Sequence, residues 1–273
     1  MNNQIIKNCE RAHYLMQLSS YFSELTDLPG VSFAYTNLVT DTWYNQAYNI
    51  HSVSRKDTIE EKKDILSKSN LFFDKHDRQI CFYLTPATTS KNFSEFLLDN
   101  DFVVFDEEAW MFYDFTNDLL QVSRERIEVR EVTEKDLDLF GEVYCRVLPG
   151  PEVKEYVQCV KNGFLSHPPL VGINYYLAFY EESPVGMLSL LSIGNCAGLY
   201  AVAVDEHYQH KGVCRALVSK AIVECKKKQI EYLFLQTGNG EESQEAFEHL
   251  GFTTQFVRKG YILKAMAEDV QHG

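Results

Sequence analysis

Two stretches of this 273-residue chain run in parallel at a constant spacing of 150 positions, and that repeat limits the fold more than any other feature. RQICFYLTP, starting at Arg78, lies over KQIEYLFLQ, starting at Lys228, without a gap. In the same register SEFLLDNDF (Ser94 to Phe102) lies over QEAFEHLGF (Gln244 to Phe252), and WMFYDF (Trp110 to Phe115) over GYILKA (Gly260 to Ala265). Identities are few (Gln79/Gln229, Ile80/Ile230, Glu95/Glu245, Phe102/Phe252), but the order of strand, loop, helix and strand is shared. We read a tandem duplication with domains at 1–126 and 127–273, joined by the polar, aperiodic segment Thr116 to Arg126. The length suits two domains, each able to bury its own core.

Both halves are acidic: residues 1–126 hold 12 Lys and Arg against 19 Asp and Glu, and residues 127–273 hold 14 against 20, which gives the net −13. No basic stripe is present, so nucleic acid is not expected as a partner, because phosphate neutralisation supplies most of its affinity. An acidic field instead draws in a cationic small molecule. No apolar run is long enough for a signal peptide or a membrane span, and no membrane association is expected. The seven cysteines are scattered without a C-x-x-C pair, which suits a reducing compartment, and a cytoplasmic location is expected. The eight histidines show no ligand spacing, so no metal site is expected.

The C-terminal half alternates helical and strand periods. Val132 to Val147 has Thr133 as an N-cap with Asp136 three residues on, close to a capping box. A short helix around Lys154 to Leu165 follows the breaker Leu148-Pro149-Gly150-Pro151. Tyr175 to Tyr180, Val185 to Ile193 and Cys196 to Val204, separated by turn residues, read as an antiparallel meander. A helix from Gly212 to Lys228, a buried strand Tyr232 to Leu235, a helix Glu242 to Leu250 and a strand pair (Thr253 to Val257, Tyr261 to Leu263) complete an α+β unit.

The chemistry concentrates in Leu199 to Leu217, LYAVAVDEHYQHKGVCRAL, where a strand runs through a loop into a helix. The first turn of a helix leaves backbone N–H groups unpaired at the positive end of its dipole. Amides from His210 to Arg215 can therefore cradle a diphosphate, with Gly212 permitting close approach. An ordinary strand-to-helix connection would also carry one glycine.

The meander, the loop Gln209-His210-Lys211-Gly212-Val213-Cys214 and the downstream GNGEESQEAFEHLGF together resemble the GNAT (general-control-related N-acetyltransferase) superfamily over roughly residues 127 to 265. Val204-Asp205-Glu206-His207-Tyr208 resembles that family's entry to the loop, and Gly251-Phe252 its usual ending. The resemblance implies two tandem GNAT-like domains, each a mostly antiparallel mixed sheet flanked by helices, and acetyl-CoA as co-substrate. It implies that the backbone of Val202, Ala203 and Val204 binds the acetyl and pantetheine groups. Gln209, His210, Lys211, Gly212, Val213, Cys214 and Arg215 would hold the pyrophosphate, and Asn239 the pantetheine arm.

Two positions depart from the family pattern. Cys214 stands where a second Gly or Ala is usual; it is either a small residue that fits or a thiol acidified by the helix N-terminus. Phe247 stands where many members carry a tyrosine acting as general acid, and phenylalanine has no proton to give. Tyr200 and Tyr261 are the candidate phenols, each alternatively a packed aromatic. In the first half the loop position is taken by Ile59 to Ser67, IEEKKDILS, without glycine and with Glu60 and Glu61 where a diphosphate needs donors. That half therefore reads as a degenerate copy whose aromatics (Tyr35, Trp43, Tyr44, Tyr48) line a cleft or pack in the core. The expected function is acetyl transfer to an amine of a small molecule or peptide; the alternative is a catalytically inactive CoA-binding or ligand-sensing module. The acceptor's identity and the oligomeric state stay open at this level.

Overall fold

The computed structural model describes residues 1–54, 56–117 and 126–270. Most of the Thr116 to Arg126 linker read from the sequence lies outside the described residues. The first half contains helix α1 (Asn3–Gln17), strands β1 (Glu24–Leu28), β2 (Val31–Tyr35) and β3 (Gln46–Tyr48), helix α2 (Ile59–Lys75), strand β4 (Cys81–Leu84), helix α3 (Phe93–Leu98) and strand β5 (Phe102–Tyr113). The second half opens with β6 (Ile127–Glu131), α4 (Leu137–Val147) and α5 (Val153–Ser166). It continues through β7 (Gly172–Tyr180), β8 (Ser183–Ile193), β9 (Cys196–Val204), α6 (Val213–Lys227), β10 (Tyr232–Gly238), α7 (Glu242–Glu248), β11 (Phe252–Leu263) and α8 (Lys264–Val270). The fold is α+β, as the sequence indicates. The capping box at Thr133 forms as read, with Asp136 accepting from the Thr133 backbone N–H and hydroxyl. It starts a short 3-10 turn before α4.

The repeat extends much further than the last third visible in the sequence. Shifted by 150 residues, β5 coincides with β11 from first residue to last, and α1, β1, β2, β3, α2, β4 and α3 fall on α5, β7, β8, β9, α6, β10 and α7. β6, α4 and α8 have no counterpart among the described residues of the first half. All strands join one 11-stranded sheet in the order β1-β2-β3-β4-β11-β5-β10-β9-β8-β7-β6. Without β6 that order reads the same from both ends once each strand is exchanged for its copy, so the sheet has an internal two-fold axis. Each half lends its last strand to the other: β11 pairs with β4, and β5 pairs with β10. The axis crosses the β5–β11 ladder at Glu108 and Arg258, which face each other in register and are copies of one another.

The two sheets expected from the sequence thus join into one, with β5 and β11 exchanged across the expected boundary at residue 126. The final strand pair read at 253–263 is likewise one twelve-residue strand, β11, with irregularities between Thr254 and Phe256 and between Gly260 and Tyr261. A bulge bends a strand without ending it, so the break in periodicity at Lys259-Gly260 reads as a turn. Helices cover both faces. Ile6, Cys9 and Met16 of α1, with Phe140 of α4 and Cys159 of α5, pack on Trp110, Met187 and Phe234. On the opposite face Val213, Leu217 and Ile222 of α6 pack on Leu190, Leu199 and Leu235. A third cluster, around Phe33, Ile65, Phe82 and Phe102, is the core of the first half.

Candidate active site

The central feature is a notch between β9 and β10. These strands run parallel and pair only at Cys196, Ala197 and Gly198, opposite Tyr232, Leu233 and Phe234. Beyond that point β9 continues along β8 and β10 along β5, and the two splay apart. The β8–β9 register slips between Ser189↔Tyr200 and Met187↔Ala203, and Ala201 takes the left-handed value φ +49°. Such a bulge tilts a strand away from its neighbour and frees backbone groups. It also breaks the alternation of side chains: Tyr200, Ala201 and Ala203 pack on the α1 face, whereas Val202 and Val204 pack on the α6 face.

The loop after β9 ends at Gly212, the N-cap of α6, with φ +87°, a conformation that side-chain-bearing residues rarely adopt. A Cβ added there would meet only Ile127 Cδ1, at 3.8 Å, so the mouth of the helix is open. No side chain caps α6, which leaves its first-turn amides at Val213, Cys214 and Arg215 available to an anion. His210 also has positive φ (+59°). The Lys211 ammonium lies 4.8 Å from the Tyr208 ring centroid and 5.5 Å from that of Tyr180. Upstream, Asp205 anchors the loop by accepting from the His207 N–H and pairing with Arg146 at 3.4 Å. Gln209 follows the short 3-10 turn at Glu206–Tyr208. Cys214 does not carry an acidified thiol: burial pushes it up to about 11, with Arg215 opposing, and it packs against the α6-side core as a small apolar residue.

On the α1 face the notch meets a buried polar cluster that sequence reading missed. Tyr200 folds back over Gly198, where an added Cβ would lie 2.5 Å from the phenol oxygen. That oxygen is 3.1 Å from Nδ1 of His13, on the N-terminal helix. Burial, helped by the positive Arg258, holds His13 well below the ordinary imidazole range, so the ring is neutral. Burial also raises the Tyr200 phenol, against the pull of Arg258, and keeps it protonated. Arg258, 1% exposed, donates from Nε to Glu108 at 2.7 Å and from Nη1 to the Tyr14 hydroxyl at 3.0 Å, and its Nη2 lies 2.6 Å from Glu108. Gln236, next on this face after Phe234, has a buried Nε2 without a partner among the described residues. A glutamine inside YLFLQT was the available signal for it. His13 and Glu10 were readable only once a helix over Asn3–Gln17 was drawn, because they share its buried face with Ile6, Cys9 and Met16.

The remaining candidates divide. Asn239 stands beside the notch, held by Glu107 of β5: its backbone N–H donates to the Glu107 carbonyl at 2.8 Å and its Nδ2 to the Glu107 carboxylate at 3.2 Å. Phe247 on α7 packs against the α6-side core, 5.8 Å from the Phe252 ring. Tyr261 is not brought to the notch. Strand exchange carries it to the other side of β11, opposite Phe82, into the core of the first half. Of the first-half aromatics, Trp43 and Tyr48 line clefts, whereas Tyr44 stacks on Tyr21 and Tyr35 packs on His76. The cleft beside Trp43, about 790 Å³, lies among 40–43, 74–79 and 151–156, away from the notch.

The sequence profile of the acetyltransferase (GNAT) family matches residues 138–252, within the second half. A GCN5-related N-acetyltransferase from Kribbella flavida superposes with TM-score 0.70 at 10% identity, over 92% of this chain and 93% of that one. A GCN5-related N-acetyltransferase from Sphaerobacter thermophilus gives TM-score 0.65 at 11% identity, over 86% and 81%. A tandem GNAT protein from the clavulanic acid biosynthesis pathway gives 0.62 at 12%, over 85% and 77%. No curated protein matches the sequence. The family match thus covers residues 138–252, the likeness of the first half to these structures is one of fold, and the family's chemistry is acetyl transfer from acetyl-CoA. No helix among the described residues is long and apolar enough to cross a membrane, and none of those residues group as a metal site.

Proposed function

We propose that this protein is an N-acetyltransferase with a single working acetyl-CoA site, in the domain 127–273, and that domain 1–126 is a degenerate copy that completes the acceptor side. The observation carrying this reading is the splayed β9–β10 notch leading directly to an uncapped helix start behind Gly212. The residues fit the co-substrate. Gly212 to Arg215 offer N–H groups to the pyrophosphate, with Gln209, His210 and Lys211 forming the rest of the loop. Val202, Ala203 and Val204 offer a strand edge to the pantetheine, and Asn239 flanks it. Bound acetyl-CoA supplies a thioester carbonyl for attack by a neutral amine. On the α1 face, protonated Tyr200 and neutral His13 form a proton-handling pair, and Gln236 brings an unspent donor. Isothermal titration with coenzyme A tests the site; one molecule per chain is expected, and no binding by the folded protein overturns the reading.

A second reading, an inactive CoA-binding or sensing module, is favoured by Phe247, which leaves the α7 position without a proton donor. A thiol of ordinary acidity near 8.5 is a tolerable leaving group without help, so the missing phenol does not by itself abolish transfer. Acetylation of an amine panel by the intact chain decides between the two. The acceptor is an amine of a small molecule or peptide, and we place the protein in the cytoplasm.

A further inference from the structure

Glu10 is the buried group left over when every other charge near the two-fold axis has been assigned. It is 3% exposed, and its Oε1 has no hydrogen-bond partner among the described residues. The nearby charges do not balance. Arg258 is bonded to Glu108 through two nitrogens, so Glu108 and Glu10 together face one cation. Lys7, one turn earlier on α1, contributes a field and no hydrogen bond to Oε1. Burial pushes the Glu10 carboxyl up to about 7, with Arg258 and Lys7 opposing, which is the mark of a carboxylate lacking its counter-charge. A buried polar group without a partner is costly and rare, and calls for a ligand or a role.

Glu10 also lines an open space. A cleft of about 460 Å³ lies between α1 and the strands β1 to β3, with Glu10, Lys7, Arg11, Asp27, Tyr48 and His51 in its walls. Arg11 is spent there on Asp27 at 3.1 Å and on the Tyr48 hydroxyl at 3.4 Å. One helical turn beyond Glu10, His13 touches Tyr200 at the notch. Adjacent turns of α1 thus border the solvent cleft, at Glu10, and the notch, at His13.

We propose that this cleft is the acceptor's binding site and that Glu10 holds a positively charged amino group of the substrate, making the acceptor a cationic amine and α1 the element that selects it. The proposal rests on the acetyltransferase reading above. An ammonium at Glu10 supplies the missing charge and the missing hydrogen bond together. A substrate with a second amino group presents that group toward His13 and Tyr200.

The test uses the full chain with 1,4-diaminobutane as probe and 1,4-butanediol as its uncharged counterpart, by isothermal titration at pH 8, on wild type and Glu10→Gln. Wild type should bind the diamine and not the diol. Glu10→Gln should bind the diamine about 10- to 100-fold more weakly, as expected for losing one charge-assisted bond. Coenzyme A affinity should be equal in both proteins, which certifies the fold of the variant. Equal diamine affinity in the two proteins, equal affinity for diol and diamine, or no diamine binding to wild type overturns the proposal. Coenzyme A is scored separately: its failure to bind overturns the acetyltransferase reading, while a Glu10-dependent diamine isotherm still supports the ammonium site.

Discussion

The two halves carry the same elements in the same order, yet they treat the start of the equivalent helix in opposite ways. In the second half, α6 begins at a glycine with φ +87° and no side-chain cap, and the strands before and after it are splayed. In the first half, α2 begins after Thr58, whose hydroxyl accepts from the Glu61 N–H at 3.3 Å. The Glu61 carboxylate accepts from the Ser54 N–H at 2.7 Å and the Ser52 hydroxyl at 2.8 Å. The donors of that segment are already engaged by a carboxylate of the protein itself. The segments that follow β3 and β4 are also tied together, the Thr89 N–H donating to the Ile50 carbonyl at 3.1 Å. One copy leaves its helix start open; the other engages it from within. Retaining the sheet while losing the loop costs little, since strands and helices are held by the core and the loop is not.

The largest expected effect lies on the axis where the copies meet. Identical residues on a two-fold axis face each other and cannot form an ion pair; Glu108 and Arg258 occupy copied positions and carry opposite charges. Arg258→Met should cost about 3–5 kcal/mol in chemical denaturation, because it strands Glu108 in the interior. The double variant Glu108→Leu/Arg258→Met should recover most of that loss. A single variant within about 1 kcal/mol of wild type would show that the halves do not depend on this pair.

Next comes pH. Glu10 titrates at about 7 when folded against 4.5 for an unperturbed group, so the folded state holds a proton that the unfolded chain has released. Stability therefore falls as pH rises from about 4.5 to 7, by roughly 3 kcal/mol, and is flat above. His13 has the opposite sign: folded neutral, it favours unfolding as pH drops below 6.5. The comparison of wild type with Glu10→Gln at each pH isolates the Glu10 share, and Glu10→Gln should be the more stable protein at pH 8. Equal curves would remove the case for an unpaired buried carboxylate.

Gly212→Asp should weaken coenzyme A binding by ~100-fold or more, through charge at the phosphates and strain at positive φ. Tyr200→Phe should lower turnover about 100-fold at unchanged coenzyme A affinity, while Tyr261→Phe, in the other half's core, should leave turnover alone. Phe247→Tyr should raise turnover if departure of the thiolate limits the rate; a large loss in the folded variant would show that this ring packs against substrate. The smallest effect is a null one. Glu61→Gln should not create a second coenzyme A site, and a stoichiometry near two per chain would break the contrast between the halves.

The open helix start that we propose for the cofactor was legible in the sequence, because it depends on local rules. A glycine before an apolar helical period marks a left-handed N-cap, and Gly212 is one. The polar cluster on the α1 face was not legible, because its members come from three distant segments, Glu10 and His13 on α1, Trp110 on β5 and Arg258 on β11, brought together only by the exchanged strands and by the docking of α1. Tyr261 shows the same limit from the other direction. Its place on the final strand of the second half implied a role in that half's site, but the exchange put it in the core of the first.

The sequence by itself determined the repeat, the element types and the open helix start, since periodicity, capping and backbone preference act within a few residues. The tertiary structure alone decided which half each final strand joins, which copy keeps a notch, and which charges face each other on the axis. Those choices depend on pairing between distant residues, as with Glu108 and Arg258, 150 positions apart, and no local preference encodes them.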